Sequence, residues 1–259
     1  MPFRRLLLAV FALAPAACLL FGSVIAADAQ GFSTDQRKEI EEIVRSYLLR
    51  NPEVLQDVML ELEKRQSAAE AEKAKAAVKG NATLLFDSPR QVVVGNPKGD
   101  VTLIEFFDYN CGFCKRALTD LVDLIKGDPN LRVVLKEFPV LGEGSVEAAK
   151  VAIAAHMQDK SGRKYFDLHQ KLLANRGPVD KARALAVAKE LGFDVARIER
   201  DMASDEVKAT IAESIKLAEA LGLNGTPSYV IGDDVVIGAV GHDALKKKVS
   251  WARCGQVAC

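Results

Sequence analysis

The sequence predicts an α/β fold with an inserted helical domain, preceded by an N-terminal helical segment. Three observations lead there. Two strand-like runs, Gln91 to Gly95 and Val101 to Phe107, lead into a C-x-x-C pair followed by a helical pattern. The long stretch from Ser145 to Leu221 contains no strand run. Strand character returns at Ser228 to Ile237, just ahead of a closing helix.

The chain has 259 residues, 49% of them hydrophobic, which suits one main domain plus an appended segment. Lys plus Arg and Asp plus Glu both number 35, with no long block of one sign. That balance argues against a nucleic-acid partner and against a polybasic membrane patch.

At the N-terminus, Arg4 and Arg5 precede an apolar run from Leu6 to Ala26, and Ala27-Asp28-Ala29 follows. This layout reads as a secretory signal peptide over residues 1–29, cleaved after Ala29, rather than an uncleaved anchor, because Pro15 interrupts the run. Cys18 is then lost with the signal, and the expected location is the periplasm. In an oxidising compartment the other four cysteines form disulfides unless they turn over in a reaction.

Residues 30–80 read as a helical segment and linker. Ser33-Thr34-Asp35-Gln36 has the S-x-x-Q form of a capping box, and Ile40, Ile43, Val44, Tyr47 and Leu48 recur at helical spacing, which predicts a helix over 34–50. Asn51-Pro52-Glu53 starts a second helix with the stripe Leu55, Val58, Met59 and Leu62. Beyond Arg65 the Ala-, Glu- and Lys-rich stretch to Val78 favours helix but offers little to bury. Two apolar stripes over residues 33–65 are more than one short helical hairpin can bury and predict a homo-oligomer, the alternative being that they pack on the chain's own domain.

The domain proper is expected over 81–259. Gln91 to Gly95 and Val101 to Phe107 read as strands that pair or neighbour one another, linked by Asn96-Pro97-Lys98-Gly99-Asp100. Leu131 to Phe138 is a further strand, and 145–221 reads as several helices broken at 159–162 and 177–178. Ser228 to Ile231 and Val235 to Ile237 flank Gly232-Asp233-Asp234 as a hairpin, and His242 to Ala252 closes the chain as a helix.

Cys111-Gly112-Phe113-Cys114 sits between a strand and a helix, the context in which this motif carries redox chemistry. At a helix N-terminus the free N–H groups and the dipole stabilise an anion, so Cys111 is the expected thiolate and Cys114, one turn in, the shielded partner. Cys114 can then attack a mixed disulfide formed at Cys111. The alternatives are a structural disulfide or half of a zinc site, for which His156, His169 and His242 are too scattered to help. No metal and no cofactor is expected.

The segment from Ile104 to Cys114, Ile-Glu-Phe-Phe-Asp-Tyr-Asn-Cys-Gly-Phe-Cys, resembles the active-site stretch of the bacterial DsbA-like family of periplasmic disulfide oxidoreductases. Gly225-Thr226-Pro227-Ser228 resembles the loop that carries a cis-proline in that family, and the helices of 145–221 resemble its insertion in a thioredoxin fold. The resemblance, which covers about residues 83–252, implies several roles. Thr226 and Pro227, with Gly112 and Phe113, form the substrate-binding surface. Glu105 is a buried acid that accepts the Cys114 proton, the alternative being an exposed glutamate on the strand face. Lys136, on the next strand, either pairs with Glu105 or faces solvent.

Cys254 and Cys259, in a short loop with Gly255, are expected to form a structural disulfide, the alternatives being a second redox pair or intermolecular bonds. The helices of 33–65 resemble the stalk of the oligomeric ScsC-like members. The implied activity is protein disulfide oxidation, reduction or isomerisation, with an isomerase or reductase bias. Its partners would be misfolded secreted proteins and a membrane redox partner. A competing expectation is that Cys111 and Cys114 hold Cu(I).

Overall fold

A computed structural model describes residues 31–259. The expected signal peptide, its Ala27-Asp28-Ala29 site and Cys18 lie outside the described residues. The chain divides into two compact units at Met59/Leu60.

In the first unit, α1 (Thr34–Arg50) opens on the capping box read from the sequence: Gln36 N–H donates to Ser33 Oγ and Ser33 N–H to Gln36 Oε1, at 3.2 and 2.9 Å. α1 buries none of its residues, and Ile43, Val44 and Tyr47 stand exposed. Along α2 (Glu53–Gly80), Leu55, Val58, Met59 and Leu62 are exposed as well.

The division falls inside α2 and not at residue 80, because the helix runs unbroken to Gly80 and its end belongs to the second unit. The Ala-rich stretch is solvated until Val78, which is buried against Leu85 of α3 (Ala82–Phe86) in one of two cores. At five residues, α3 is too short to leave a period in the sequence.

The second unit is built on β1 (Val92–Gly95), β2 (Val101–Phe107), β3 (Leu131–Glu137), β4 (Ser228–Ile231) and β5 (Asp234–Ile237). The order is β1-β3-β2-β4-β5, with β2 and β3 parallel and the other pairs antiparallel. This corrects the expected pairing of the first two strands. β3 returns through α4 (Gly112–Gly127) to lie beside β2, as a crossover unit does, and β1 takes the far edge of β3. The β1–β2 link crosses the start of β3 so closely that a Cβ at Gly99 would collide with Asn130 O and Arg132 N.

Alternation along the strands builds the two cores. Leu103, Phe107, Val133 and Leu135 face α4, the insertion and α10 (His242–Cys254), burying Leu121, Leu168, Leu172 and Leu245. Ile104, Phe106, Val134 and Val230 face the other way, onto Val78, Leu85 and Leu217. The insertion comprises α5 (Glu143–His156), α6 (Arg163–Leu173), α7 (Lys181–Glu190), α8 (Val195–Asp201) and α9 (Asp205–Ala220). It begins two residues earlier than the sequence suggested, breaks at the two expected places, between α5 and α6 and between α6 and α7, and breaks twice more, at 191–194 and 202–204. The result is the α/β fold expected from the sequence, with a helical insertion between β3 and β4.

Candidate active site

β2 carries the chain to Phe107 at the sheet's edge of pairing, and a tight turn then aims it into α4. Asp108 makes that turn. Its Oδ1 accepts Asn110 N–H at 2.8 Å, its main-chain oxygen accepts Cys111 N–H at 3.1 Å, and the next residues wind into helix. Asp108 is also a hub: Oδ2 accepts Val140 and Leu141 N–H at 2.8 and 3.0 Å, and Oδ1 accepts Ser145 Oγ–H at 2.8 Å.

Cys111 therefore stands at the N-cap of α4 in extended conformation. It keeps 6% exposure, less than a surface thiol, because the Thr226–Pro227 loop lies over it; Cys111 Sγ–H donates to Thr226 O at 3.1 Å. Cys114 is fully buried. Both thiols are free.

Their chemistry diverges. Hydrogen bonding from Cys114, then from Thr226 and the N–H groups of Cys114 and Phe113, brings Cys111 down to about 5 from an ordinary 9.0, against the opposing effect of burial. The same contact with Cys111, together with burial and the nearby Glu105 carboxyl, pushes Cys114 well up. The arrangement favours the thiolate at Cys111 and the protonated thiol at Cys114.

Thr226 serves Cys111 in both states: its carbonyl accepts from the thiol and its side chain supports the thiolate. The Thr226–Pro227 peptide bond is cis. Gly112 opens α4, and Phe113 is 57% exposed with the Arg116 guanidinium over its ring at 4.3 Å.

Glu105 lies beneath the pair on β2, opposite Tyr229 of β4. It is 1% exposed, its Oε2 has no hydrogen-bond partner, and burial pushes it up to about 8 while the Tyr229 hydroxyl opposes the rise. Lys136 does not pair with it. Lys136 sits beside Phe106 in the parallel register, on the face of the sheet opposite Glu105, so the alternation of side chains separates the two. Nor does it face solvent: it is 3% exposed and bonds Glu213 Oε1 at 3.1 Å and Leu84 O at 2.8 Å.

Two features escaped the sequence reading. Glu137 shares the face of Glu105; it accepts Tyr165 and Tyr109 O–H on one oxygen at 2.6 and 3.0 Å, and burial raises it to about 8. The signal that singled out Glu105, an acid within an apolar strand, was equally present here. The Asp108 hub left a weaker trace, the D-x-N spacing of an Asx turn.

His169 and His156 are packing groups. His169 is wholly buried against Phe107 and is lowered to about 3, and His156 is lowered to about 4, both chiefly by burial. Cys254 and Cys259 stay apart from the site. They are bonded to each other at 2.10 Å, tying the last residue of α10 to the chain's end beside Arg253, whose guanidinium clamps Asp100 and Asp128.

A thiolate-forming cysteine at a helix cap, a buried partner one turn on and a cis-proline loop above them define a thioredoxin-like redox protein. Residues 102–250 match the family described as DSBA-like thioredoxin domain, and the chain belongs to that family of thiol-disulfide oxidoreductases. Residues 36–69 match the family described as Copper resistance protein ScsC N-terminal domain.

Among solved structures, the chain is similar to a thioredoxin-like oxidoreductase from Silicibacter pomeroyi, at 45% identity and a TM-score of 0.64, covering 67% of this chain and 98% of that one. It is similar to Proteus mirabilis ScsC at 27% identity and a TM-score of 0.64, covering 87% and 98%. Among curated relatives it matches the Na(+)/H(+) antiporter NhaA 1 of Salinispora arenicola, 28% identical over 169 residues that make 65% of this chain and 26% of that protein. The chain spans about a quarter of the length of the curated relatives it matches. Among the described residues no helix is long and apolar enough to cross a membrane.

Proposed function

We propose that the chain is an exported, periplasmic protein disulfide oxidoreductase, biased toward isomerisation or reduction, that uses Cys111 and Cys114 on cysteine-bearing secreted proteins. The observation that carries this reading is the placing of the pair, Cys111 at the N-cap of α4 under the cis Thr226–Pro227 loop and Cys114 buried one turn on, which lowers the first thiol and raises the second. The Cys111 thiolate attacks a substrate disulfide, forming a Cys111–substrate disulfide and releasing one substrate thiolate. Glu105 then takes the Cys114 proton, and the Cys114 thiolate attacks Cys111 Sγ. That step releases the second substrate sulfur and leaves a Cys111–Cys114 disulfide, so the substrate gains the two electrons the pair loses. Thr226 and Pro227, flanked by Gly112 and the exposed Phe113, receive the extended substrate chain. Cys254–Cys259 acts as a structural clip, and a membrane redox partner resets the pair.

Isomerase bias rests on self-association through residues 33–65, whose apolar stripes are exposed on α1 and α2. Several Cys111 sites around a shared space suit misfolded chains. The test is insulin reduction and refolding of a scrambled disulfide substrate by the metal-free protein, alongside its mass by light scattering. A monomer, or a variant lacking residues 30–75 that isomerises equally well, removes the oligomer and its bias while leaving the redox pair. A second reading is Cu(I) held by the two thiolates, prompted by the likeness of residues 36–69 to the N-terminal domain of a copper resistance protein. Copper titration of the reduced protein tests it.

A further inference from the structure

The active-site turn is fastened to the helical insertion by bonds that the exchange of sulfurs does not itself require. Asn110, just before Cys111, turns its side-chain amide toward Val179 in the loop ahead of α7. Nδ2–H donates to Val179 O at 2.9 Å, Oδ1 accepts Val179 N–H at 2.7 Å, and a second Nδ2–H reaches Ser145 Oγ at 3.1 Å. Both amide hydrogens are therefore used, and the side chain copies the paired bonds that one strand offers another. Val179 is wholly buried, so its N–H and carbonyl have no water to turn to.

The same loop is gripped a second time from the far side of Cys111. Lys115 Nζ, one turn into α4, donates to Asn175 O at 2.8 Å and Gly177 O at 2.9 Å. The residues on either side of the catalytic pair's N-cap are thus both tied to one segment of the insertion.

We propose that Asn110 is a positioning residue through which the helical insertion holds the Cys111 turn in the geometry that stabilises its thiolate. The N–H groups of Phe113 and Cys114 reach Cys111 Sγ only while Cys111 keeps its cap conformation, with φ −76° and ψ 117°. Without the amide, the turn is held at residue 110 by the Asx bond to Asp108 alone. An ionised Asp at 110 would offer no donor to Val179 O, and an apolar residue would offer neither donor nor acceptor. The insertion then tunes the redox pair in addition to covering it. This inference rests on the reading of Cys111 as the attacking thiolate.

The test uses the reduced, full-length mature protein and follows thiolate absorbance near 240 nm against pH, together with equilibration against glutathione. Asn110→Ala should raise the Cys111 midpoint by about half to one pH unit. That is a three- to tenfold loss of thiolate at a given acidic pH, with the glutathione constant shifting by a similar factor toward a less oxidising pair. Ser145→Ala, a milder cut in the same chain of bonds that adds no charge, should move both readouts the same way by about twofold, and it carries the test if Asn110→Ala does not fold. A bond that serves stability alone would lower the unfolding midpoint and leave both readouts in place. A wild-type transition below pH 7 that the folded variants share unchanged overturns this inference alone. The absence of any such transition in the wild type overturns the Cys111 reading and this inference with it.

Discussion

Replacing Glu105 with Gln should make the protein more stable at neutral pH and slower at its chemistry. Burial raises the Glu105 carboxyl from 4.5 to about 8, so the folded protein holds a proton that the unfolded chain releases above pH 4.5. Its contribution is therefore whole below about pH 4.5 and is lost as the pH climbs toward about 8. At roughly 1.4 kcal/mol per pH unit, the loss is under about 1 kcal/mol at pH 5 and on the order of 3 kcal/mol at pH 7. Relaxation of the polar interior makes these upper limits.

Glutamine cannot ionise, and whatever its amide costs in the core is the same at both pH values. Glu137, raised to about 8 and chiefly by burial, and Cys111, lowered to about 5, titrate in both proteins, so the difference between variant and wild type isolates Glu105. Urea unfolding of the reduced proteins should show the variant gaining on the order of 2 kcal/mol between pH 5 and pH 7. Kinetically, a general base contributes about 100-fold at the low end, and about a tenth of Glu105 is ionised at pH 7. Resolution of a Cys111 mixed disulfide by Cys114 should slow by at least about tenfold in stopped flow. A stability difference that is flat across this range, together with unchanged resolution, would refute the reasoning.

Two further outcomes follow from the same geometry. Cys114→Ser should accumulate a mixed disulfide at Cys111, visible by non-reducing electrophoresis and mass spectrometry, whereas Cys111→Ser should trap nothing because Cys114 is buried and its thiol raised. Lys136→Met should cost about 3 kcal/mol in chemical denaturation, the low end for breaking a buried pair, since Arg90 remains 3.6 Å from Glu213. The titration of Cys111 should not move with it, because Lys136 faces the other side of the sheet.

What the sequence made legible was local. The capping box at Ser33, the strand-to-helix setting of Cys111, the helical breaks near Gly162 and Pro178 and the hairpin at Gly232 are written in neighbouring residues, and each stands where its pattern placed it. Glu105 was legible as an acid in apolar company. The rest depended on register and on contacts between distant residues. Whether Lys136 shares a face with Glu105 is decided by which residue of β3 lies beside which of β2, and one step of register reverses the answer. The placing of β3 between β1 and β2 is set by a crossover that no single segment encodes. The bonds of Asn110 join residues 69 apart in the chain, and those of Glu137 to its two tyrosines join residues 28 apart. Neither leaves a periodic signal.

The account stands most directly on the inequality of the two thiols, and brief alkylation measures it. The reduced protein is treated with a small haloacetamide for seconds at pH 6, quenched in acid and mapped by peptide mass spectrometry. With Cys111 lowered to about 5 and Cys114 buried and raised, the label should fall almost entirely on Cys111, and denaturing the protein first should let both thiols react alike. Equal labelling of Cys111 and Cys114 in the folded protein would contradict the assignment of attacking and resolving roles.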